Sequence, residues 1–137
     1  MTVRQVHVVG VALLRDARCL VAQRSEGTSF ALRWEFPGGK VEPGEAPHAA
    51  LVRELTEELG VQVLVGEWLG RGEATSGDVH IALDIFEGSL TNGEPQAIEH
   101  RQLRWCSADE LGSLHWADAD IPVVPVVQRR LRERVKS

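Results

Sequence analysis

The chain has 137 residues, of which 43% are hydrophobic and 26% are charged, and its formal net charge at pH 7 is −5. This length and composition predict a single globular domain over residues 1–137, and the negative charge argues against a nucleic-acid polymer as partner, because such partners need a basic surface. No apolar run approaches the roughly 18 residues of a membrane span and the first residues lack a signal-peptide core, so no membrane partner is expected.

The two cysteines, Cys19 and Cys106, are far apart in the sequence and form no pair with metal-ligand spacing. Buried, reduced thiols are the simplest interpretation of such residues. Reduced thiols are typical of the cytosol, so we expect a cytoplasmic location.

The first part of the chain predicts a β-hairpin followed by a glycine loop. Residues 3–14 are rich in valine and partly alternate in polarity, which predicts a long strand. A turn at 15–18 leads into a second strand at 19–24, and residues 25–33 form a polar and mixed loop. The segment 34–40, W-E-F-P-G-G-K, predicts the end of a strand and a glycine loop.

A helix is predicted from Pro47 to the residue before Gly60. Proline suits the first turn of a helix, and glycine suits the left-handed residue just past its end. Val52, Leu55 and Leu59 recur at three- and four-residue spacing, which predicts the buried face of this helix.

Three glutamates, Glu54, Glu57 and Glu58, are expected on the opposite face of the same helix. Like charges at this spacing destabilise a helix by roughly 0.2–0.5 kcal/mol per pair, and anions near the C-terminus also oppose the helix dipole. A solvated acidic face is one interpretation. The other is a bound hard cation such as Mg²⁺, which carboxylate oxygens hold together with water and phosphate.

The second half of the chain predicts three more strands. An alternating strand is expected at 61–70, a flexible loop at 72–77, and a strongly alternating strand at 78–87. A turn and loop follow at 89–95, and residues 97–106 lead into the last strand.

Two helices are predicted after the last strand. Ser107 and Glu110 form a capping box that starts a short helix. The final helix runs to about residue 135, and its predicted buried stripe consists of Val124, Val127 and Leu131.

The glycine loop and the acidic helix share a motif of fixed spacing. Five residues separate Gly39 from Glu45, seven separate Glu45 from Arg53, and residues 53–61 read R-E-L-x-E-E-x-G-V. Residues 39–61 therefore resemble the Nudix box at every specified position. Because the motif combines nine constrained positions, the chain is identified as a member of the Nudix hydrolase family.

The resemblance implies the fold of that family, an α/β sandwich in which a mixed β-sheet lies between the box helix and the C-terminal helix. It also implies a pyrophosphohydrolase that acts on a nucleoside diphosphate linked to another moiety. The box of the family holds divalent cations against the pyrophosphate, so Mg²⁺ is the expected cofactor, with Mn²⁺ as a possible substitute.

The resemblance further implies which residues act. The expected metal ligands are the Gly38 carbonyl and the carboxylates of Glu54, Glu57, Glu58 and Glu99. Glu99 lies just before the last strand, in a segment that resembles the one delivering an additional glutamate in MutT-like relatives. The four glutamates are also the expected catalytic residues, and either Glu54 or Glu99 is the expected general base.

Four other box residues are expected to support the catalytic groups. Gly39, Glu45 and Gly60 shape the loop and the helix end. Arg53 belongs to the expected catalytic set because, with Glu45, it orients the glutamates.

The substrate class is implied by a resemblance to the MutT-like branch that extends nearly end to end. Residues 34–40 match that branch, whereas 103–107 (L-R-W-C-S) and 119–122 (A-D-I-P) are similar to CTP pyrophosphohydrolases. The implied reaction converts a nucleoside triphosphate to the monophosphate and pyrophosphate, which would sanitise the nucleotide pool. The residues expected to contact this small-molecule substrate are Arg24, Trp34, Lys40 and Asp120.

Several alternatives stay open at this point. An ionised Asp120 only accepts hydrogen bonds, which suits the exocyclic amine of cytosine, whereas an oxidised purine such as 8-oxo-dGTP needs base donors or a protonated acid. Other candidates are a hydrolase of ADP-ribose or dinucleoside polyphosphates and a non-catalytic nucleotide sensor. The expected oligomeric state is a monomer or a homodimer.

Overall fold

The computed structural model describes residues 3–136, which form a mixed β-sheet with helices on both faces. The strands are β1 (Arg4–Arg15), β2 (Arg18–Gln23), β3 (Trp34–Glu35), β4 (Gly38–Lys40), β5 (Gln62–Ser76), β6 (Val79–Asn92) and β7 (Gln102–Cys106). The helices are α1 (Pro47–Leu59), α2 (Ala108–Gly112) and α3 (Val124–Lys136), and a short 3-10 helix over Ile121–Val123 precedes α3.

Strand β1 is the centre of the sheet. It pairs in parallel with β6 on one side, and on the other side it pairs antiparallel first with β4 and then with β2. Between these two partners the chain passes β1 at Pro37, whose carbonyl accepts a hydrogen bond from the Val11 N–H (2.8 Å). β5 lies beyond β6, and β3 and β7 flank β2. The combination of parallel and antiparallel pairs confirms the predicted mixed sheet.

The helices cover the two faces of this sheet, which confirms the predicted α/β sandwich. On one face, Leu51, Leu55 and Leu59 of α1 join a fully buried cluster with Val9 and Val11 of β1. On the other face, the predicted stripe of α3, Val124, Val127 and Leu131, packs against residues of β1, β2 and β6. The short helix α2 has the predicted capping box, because Ser107 and Glu110 exchange hydrogen bonds.

Two predictions about the face of α1 were wrong. Val52 is 39% exposed, and Leu51 takes its place in the core beside Leu55 and Leu59. Glu58, expected on the face opposite the buried stripe, is itself buried, since only 9% of the residue is exposed. Leu55 and Leu59 are buried as predicted, so only the first position of the stripe is displaced, by one residue or about 100° around the helix.

Three strand boundaries also differ from the prediction. Residues 72–76 are not a loop, because β5 continues to Ser76 and pairs with β6 along this stretch. Residues 89–92 belong to β6 rather than to the following loop, and β7 begins only at residue 102. Glycines within β5 made this stretch resemble a loop in the sequence. Gly72 is required by packing, because a Cβ at this position would overlap the Ala119 carbonyl.

Within residues 3–136, no helix combines the length and the apolar character that crossing a membrane would require.

Candidate active site

A cavity of about 430 Å³ lies between the sheet and the loops at its open end. Val6 and Val8 of β1 with Ile81 and Leu83 of β6 form an apolar floor, which sequence reasoning did not assign to the site. Alternation along two parallel strands places these four side chains on one face, and this pattern was visible in the sequence.

Glycines let the box loop approach β1 and α1 at one end of the cavity. A Cβ on Gly38 would overlap the Val9 carbonyl, and a Cβ on Gly39 would overlap the Glu54 carboxylate. The Glu54 carboxylate therefore lies directly on the loop, where the prediction needs it. Gly60 has the predicted left-handed conformation (φ 69°), and its N–H closes α1 on the Thr56 carbonyl (3.1 Å).

Arg53 joins the loop of the box to helix α1 through hydrogen bonds. Its guanidinium donates to both oxygens of Glu45 (2.9 Å each), to the Lys40 carbonyl (3.0 Å) and to Glu54 Oε1 (2.8 Å). A longer ion pair of 3.5 Å reaches Glu57 Oε2. Hydrogen bonds from Arg53 lower the pKa of Glu45 to about 2, so this fork stays ionised at neutral pH. The geometry agrees with the predicted supporting roles of Arg53 and Glu45.

Glu58 is the buried acid of the site. Among the described residues its Oε2 atom has no hydrogen-bond partner, and Glu58 lines the cavity, as Gly38 does. Burial and, to a smaller extent, the negative charges of Glu35, Glu54 and Glu99 together raise the pKa of Glu58 to about 9. The predicted ligand Glu99 is therefore close enough to Glu58 for its charge to raise the pKa of Glu58.

These residues fit a divalent cation. An orphaned carboxylate oxygen surrounded by three more acids is a set of hard oxygen donors that positive charge would stabilise. Within the described part of the chain, no three acidic, histidine or cysteine side chains already converge into a finished metal centre. Two of the expected ligands, Glu54 and Glu57, form ion pairs with Arg53 instead (2.8 and 3.5 Å).

Two predicted cations line the cavity. Arg24 donates from Nη1 to Glu35 Oε1 (2.7 Å) and from Nε to the Ser29 carbonyl (2.6 Å). Lys40 ends β4 at the exposed rim of the cavity. Both positions are consistent with the predicted contacts to substrate phosphates.

Asp120 also lines the cavity. Only 3% of the residue is exposed, and its Oδ2 accepts a hydrogen bond from the Phe36 N–H (2.9 Å). Burial raises the pKa of Asp120 well above its ordinary value, and the charge of Glu35 adds to the effect. The segment that carries Asp120 is fixed to β3, because Trp34 N donates to the His115 carbonyl and Ala117 N to the Trp34 carbonyl.

The structure does not bring the side chain of Trp34, a predicted substrate contact, to the cavity. The Trp34 ring is buried in the core and does not line the cavity. Successive residues of a strand point to opposite faces, so the neighbouring Glu35 occupies the cavity instead. Sequence reasoning gave no role to Glu35, although the alternation W-E-F was the available signal.

The structure joins a glycine loop and an acidic helix at a cavity in a mixed-sheet sandwich, which is the architecture of the Nudix family. The chain belongs to this family, because the family model described as NUDIX domain matches residues 3–127. The predicted family membership is thus confirmed, and the chain is a Nudix hydrolase.

Comparison with individual proteins identifies relatives of both predicted kinds. The chain is 40% identical over 121 residues to the CTP pyrophosphohydrolase of Escherichia coli (strain K12), which covers 88% of this chain and 90% of that protein. It is 45% identical over 116 residues to the putative 8-oxo-dGTP diphosphatase 2 of Mycobacterium tuberculosis (strain ATCC 25618 / H37Rv), covering 82% and 81%. The solved structure of the MutT NUDIX hydrolase from Burkholderia pseudomallei matches with a TM-score of 0.81 at 27% identity, covering 90% of this chain and 98% of that chain.

Proposed function

We propose that the protein is a Mg²⁺-dependent pyrophosphohydrolase that converts a modified nucleoside triphosphate to the monophosphate and pyrophosphate. The observation that carries the proposal is Glu58, a buried acid with an orphaned oxygen amid three other carboxylates, at the end of a nucleotide-sized cavity. The named relatives, a CTP pyrophosphohydrolase and a putative 8-oxo-dGTP diphosphatase, support a triphosphate substrate. Removal of such nucleotides would sanitise the nucleotide pool.

The residues that would hold the metal are the Gly38 carbonyl and Glu54, Glu57, Glu58 and Glu99. A bound divalent cation, Mg²⁺ or alternatively Mn²⁺, supplies charge for the phosphate oxygens and lowers the pKa of water. Nudix hydrolases generally need such a cation, and the oxygen donors gathered here suit it.

The chain's own residues supply positioning and proton transfer. Arg24 and Lys40 bind the phosphates from the cavity wall, and the Arg24 fork suits phosphate geometry. Arg53 keeps Glu54 on the glycine loop, at the distance of a hydrogen bond (2.8 Å). Either Glu54 or Glu99 takes the proton from the attacking water.

The base is bound on the apolar floor, with Asp120 as the polar group that selects it. Because Phe36 N–H occupies Oδ2, Asp120 offers its other oxygen to the base. An ionised Asp120 accepts a hydrogen bond from the cytosine amine, whereas its raised pKa favours the neutral acid, which donates a hydrogen bond to an acceptor such as an oxidised purine carbonyl. Both (d)CTP derivatives and 8-oxo-dGTP are therefore candidate substrates, and the single-domain organisation, the oligomeric state and the cytoplasmic location stay predictions.

The decisive experiment is pyrophosphate release over a nucleotide panel with Mg²⁺. The panel contains the common triphosphates, 8-oxo-dGTP, 5-modified dCTPs and ADP-ribose, and Glu57→Gln is assayed beside the wild type. We expect the highest kcat/KM for an oxidised purine or a cytosine triphosphate, with a collapse of activity in the variant. Turnover of ADP-ribose alone would refute the substrate class, and binding without any turnover would instead support the nucleotide sensor.

A further inference from the structure

Glu35 is a carboxylate in the cavity that the proposed reaction leaves without a role. Its side chain is only 15% exposed, and both of its oxygens are engaged. Oε1 accepts a hydrogen bond from Arg24 Nη1 (2.7 Å), and Oε2 lies 2.9 Å from His100 Nε2. With both oxygens held by nitrogen donors, Glu35 is poorly placed to act as a metal ligand, unlike the orphaned Glu58.

The two partners of Glu35 come from separate parts of the chain. Arg24 follows the end of β2, whereas His100 directly follows Glu99 and has a side chain only 7% exposed. Glu35 therefore joins the expected phosphate-binding arginine to the segment that carries an expected metal ligand.

Two hydrogen bonds to backbone carbonyls also fix the same two segments against each other. Ser25 Oγ donates to the Glu99 carbonyl (3.0 Å), and Arg101 N donates to the Gln23 carbonyl (3.0 Å). Because the backbone is already fixed, the Glu35 bonds act mainly on side-chain orientation.

The orientation of Arg24 shows what Glu35 contributes. Nη1 is held by Glu35 and Nε by the Ser29 carbonyl, whereas Nη2 makes only a long contact of 3.5 Å to Ser29 Oγ. A guanidinium has five N–H donors, so the donors that these bonds leave over are available to a phosphate. Loss of the Glu35 bond would let the fork rotate away from this arrangement.

We propose that Glu35 is a positioning residue that aligns Arg24 and the Glu99–His100 segment for the same substrate. The inference rests on the proposed function, since it takes Arg24 as the phosphate contact and Glu99 as part of the metal site. Glu35 itself touches neither the metal nor the reacting phosphorus.

The first readout does not depend on activity. Wild type and Glu35→Gln are compared in the presence of EDTA by the ¹⁵N–¹H signal of the Arg24 side-chain Nε–H, which the Ser29 bond should make observable. We expect the signal to be present in the wild type and broadened or lost in the variant. Glu94→Gln is the matched control, because it weakens another carboxylate–arginine pair, the bidentate one with Arg15, whose residues do not line the cavity.

The second readout is a double-mutant cycle on kcat/KM with the best substrate of the panel. Loss of a group that orients active residues typically lowers activity about 10- to 100-fold, and we expect this loss for Glu35→Gln with an unchanged Tm. In an Arg24→Ala, His100→Ala background the same substitution should lower kcat/KM by less than about threefold, because Glu35 then has no partner to position.

The bonds of Glu35 to Arg24 and to His100 can be tested separately. Should Glu35→Gln fail to fold, His100→Gln tests the same idea by freeing only Oε2, and it should lower kcat while the Arg24 signal persists. An unchanged Arg24 signal, or an equal loss of kcat/KM in both backgrounds, would overturn the proposal. If no triphosphate is hydrolysed, the proposed function fails, while the Arg24 signal still decides whether Glu35 positions the arginine.

Discussion

Replacing Glu58 by glutamine should stabilise the metal-free protein while abolishing its response to Mg²⁺. The pKa of Glu58 is raised to about 9 from an ordinary 4.5, so at pH 7 the folded state holds this carboxyl protonated and the unfolded state does not. The ordinary pKa of 4.5 lies about 2.5 pH units below pH 7, and each unit corresponds to about 1.4 kcal/mol. Glu58 should therefore lower the free energy of unfolding at pH 7 by about 3 kcal/mol. Glutamine has nearly the same shape as the protonated acid and avoids this penalty.

The sign of the pH dependence follows from the direction of the shift. The unfolded state loses the Glu58 proton above pH 4.5, whereas the folded state keeps it until about pH 9. The wild type should therefore lose stability relative to Glu58→Gln as pH rises between 5 and 9, by about 1.4 kcal/mol per unit at most. Below pH 4.5 the difference due to this group should vanish.

Urea unfolding in EDTA at several pH values measures the effect, with the slope m checked for constancy. Addition of Mg²⁺ should then stabilise the wild type, because a ligand that binds only the folded state does so, and it should do much less for Glu58→Gln. Glu57→Gln is the matched control, since that side chain is on the same helix but 56% exposed, and its pH slope should equal that of the wild type. Equal slopes in wild type and Glu58→Gln would refute the interpretation of Glu58 as a penalised buried acid.

Three further predictions concern other buried groups. Asp84 accepts hydrogen bonds from Trp68 and Arg71 and pairs with His7, and these contacts lower its pKa. Asp84→Asn should therefore lower the free energy of unfolding in urea by about 2–3 kcal/mol at pH 7. The stability difference between wild type and variant should shrink as pH falls toward 3. Both cysteine thiols are buried and their pKa values are raised, so they should react with a thiol reagent only after denaturation; rapid labelling of the folded protein would contradict this. Asp120→Asn should change the ratio of kcat/KM between 8-oxo-dGTP and a modified dCTP by at least about tenfold, and an unchanged ratio would remove Asp120 from base selection.

Local patterns predicted the elements that depend on neighbours in sequence. The box spacing identified the glycine loop and the helix, and Pro47 and Gly60 lie at the start and the end of that helix as expected. The capping box at Ser107 was predictable for the same reason, since its partner Glu110 is three residues away. Such features need only one turn of chain to be recognised.

Features that depend on tertiary contacts were not predictable in the same way. In the sequence, β5 resembles a strand followed by a loop because Gly70 and Gly72 interrupt it and Gly77 follows it, yet pairing with β6 keeps it extended to Ser76. Leu51 rather than Val52 is buried because the packing of α1 on β1, not spacing alone, sets the rotation of the helix. Sequence spacing allowed both choices.

The exchange of roles between Trp34 and Glu35 shows where the remaining information lies. The aromatic side chain was the more conspicuous candidate, but β3 has only two residues and its alternation puts one in the core and the other in the cavity. Glu35 acquires its partners from residues 11 and 65 positions away, which no local motif could connect. Its charge also contributes to the raised pKa values of Asp120, the proposed base-binding residue, and of Glu58, a proposed metal ligand. Because the charge of Glu35 acts on both Asp120 and Glu58, a substitution of Glu35 should alter base selection and the response to metal together.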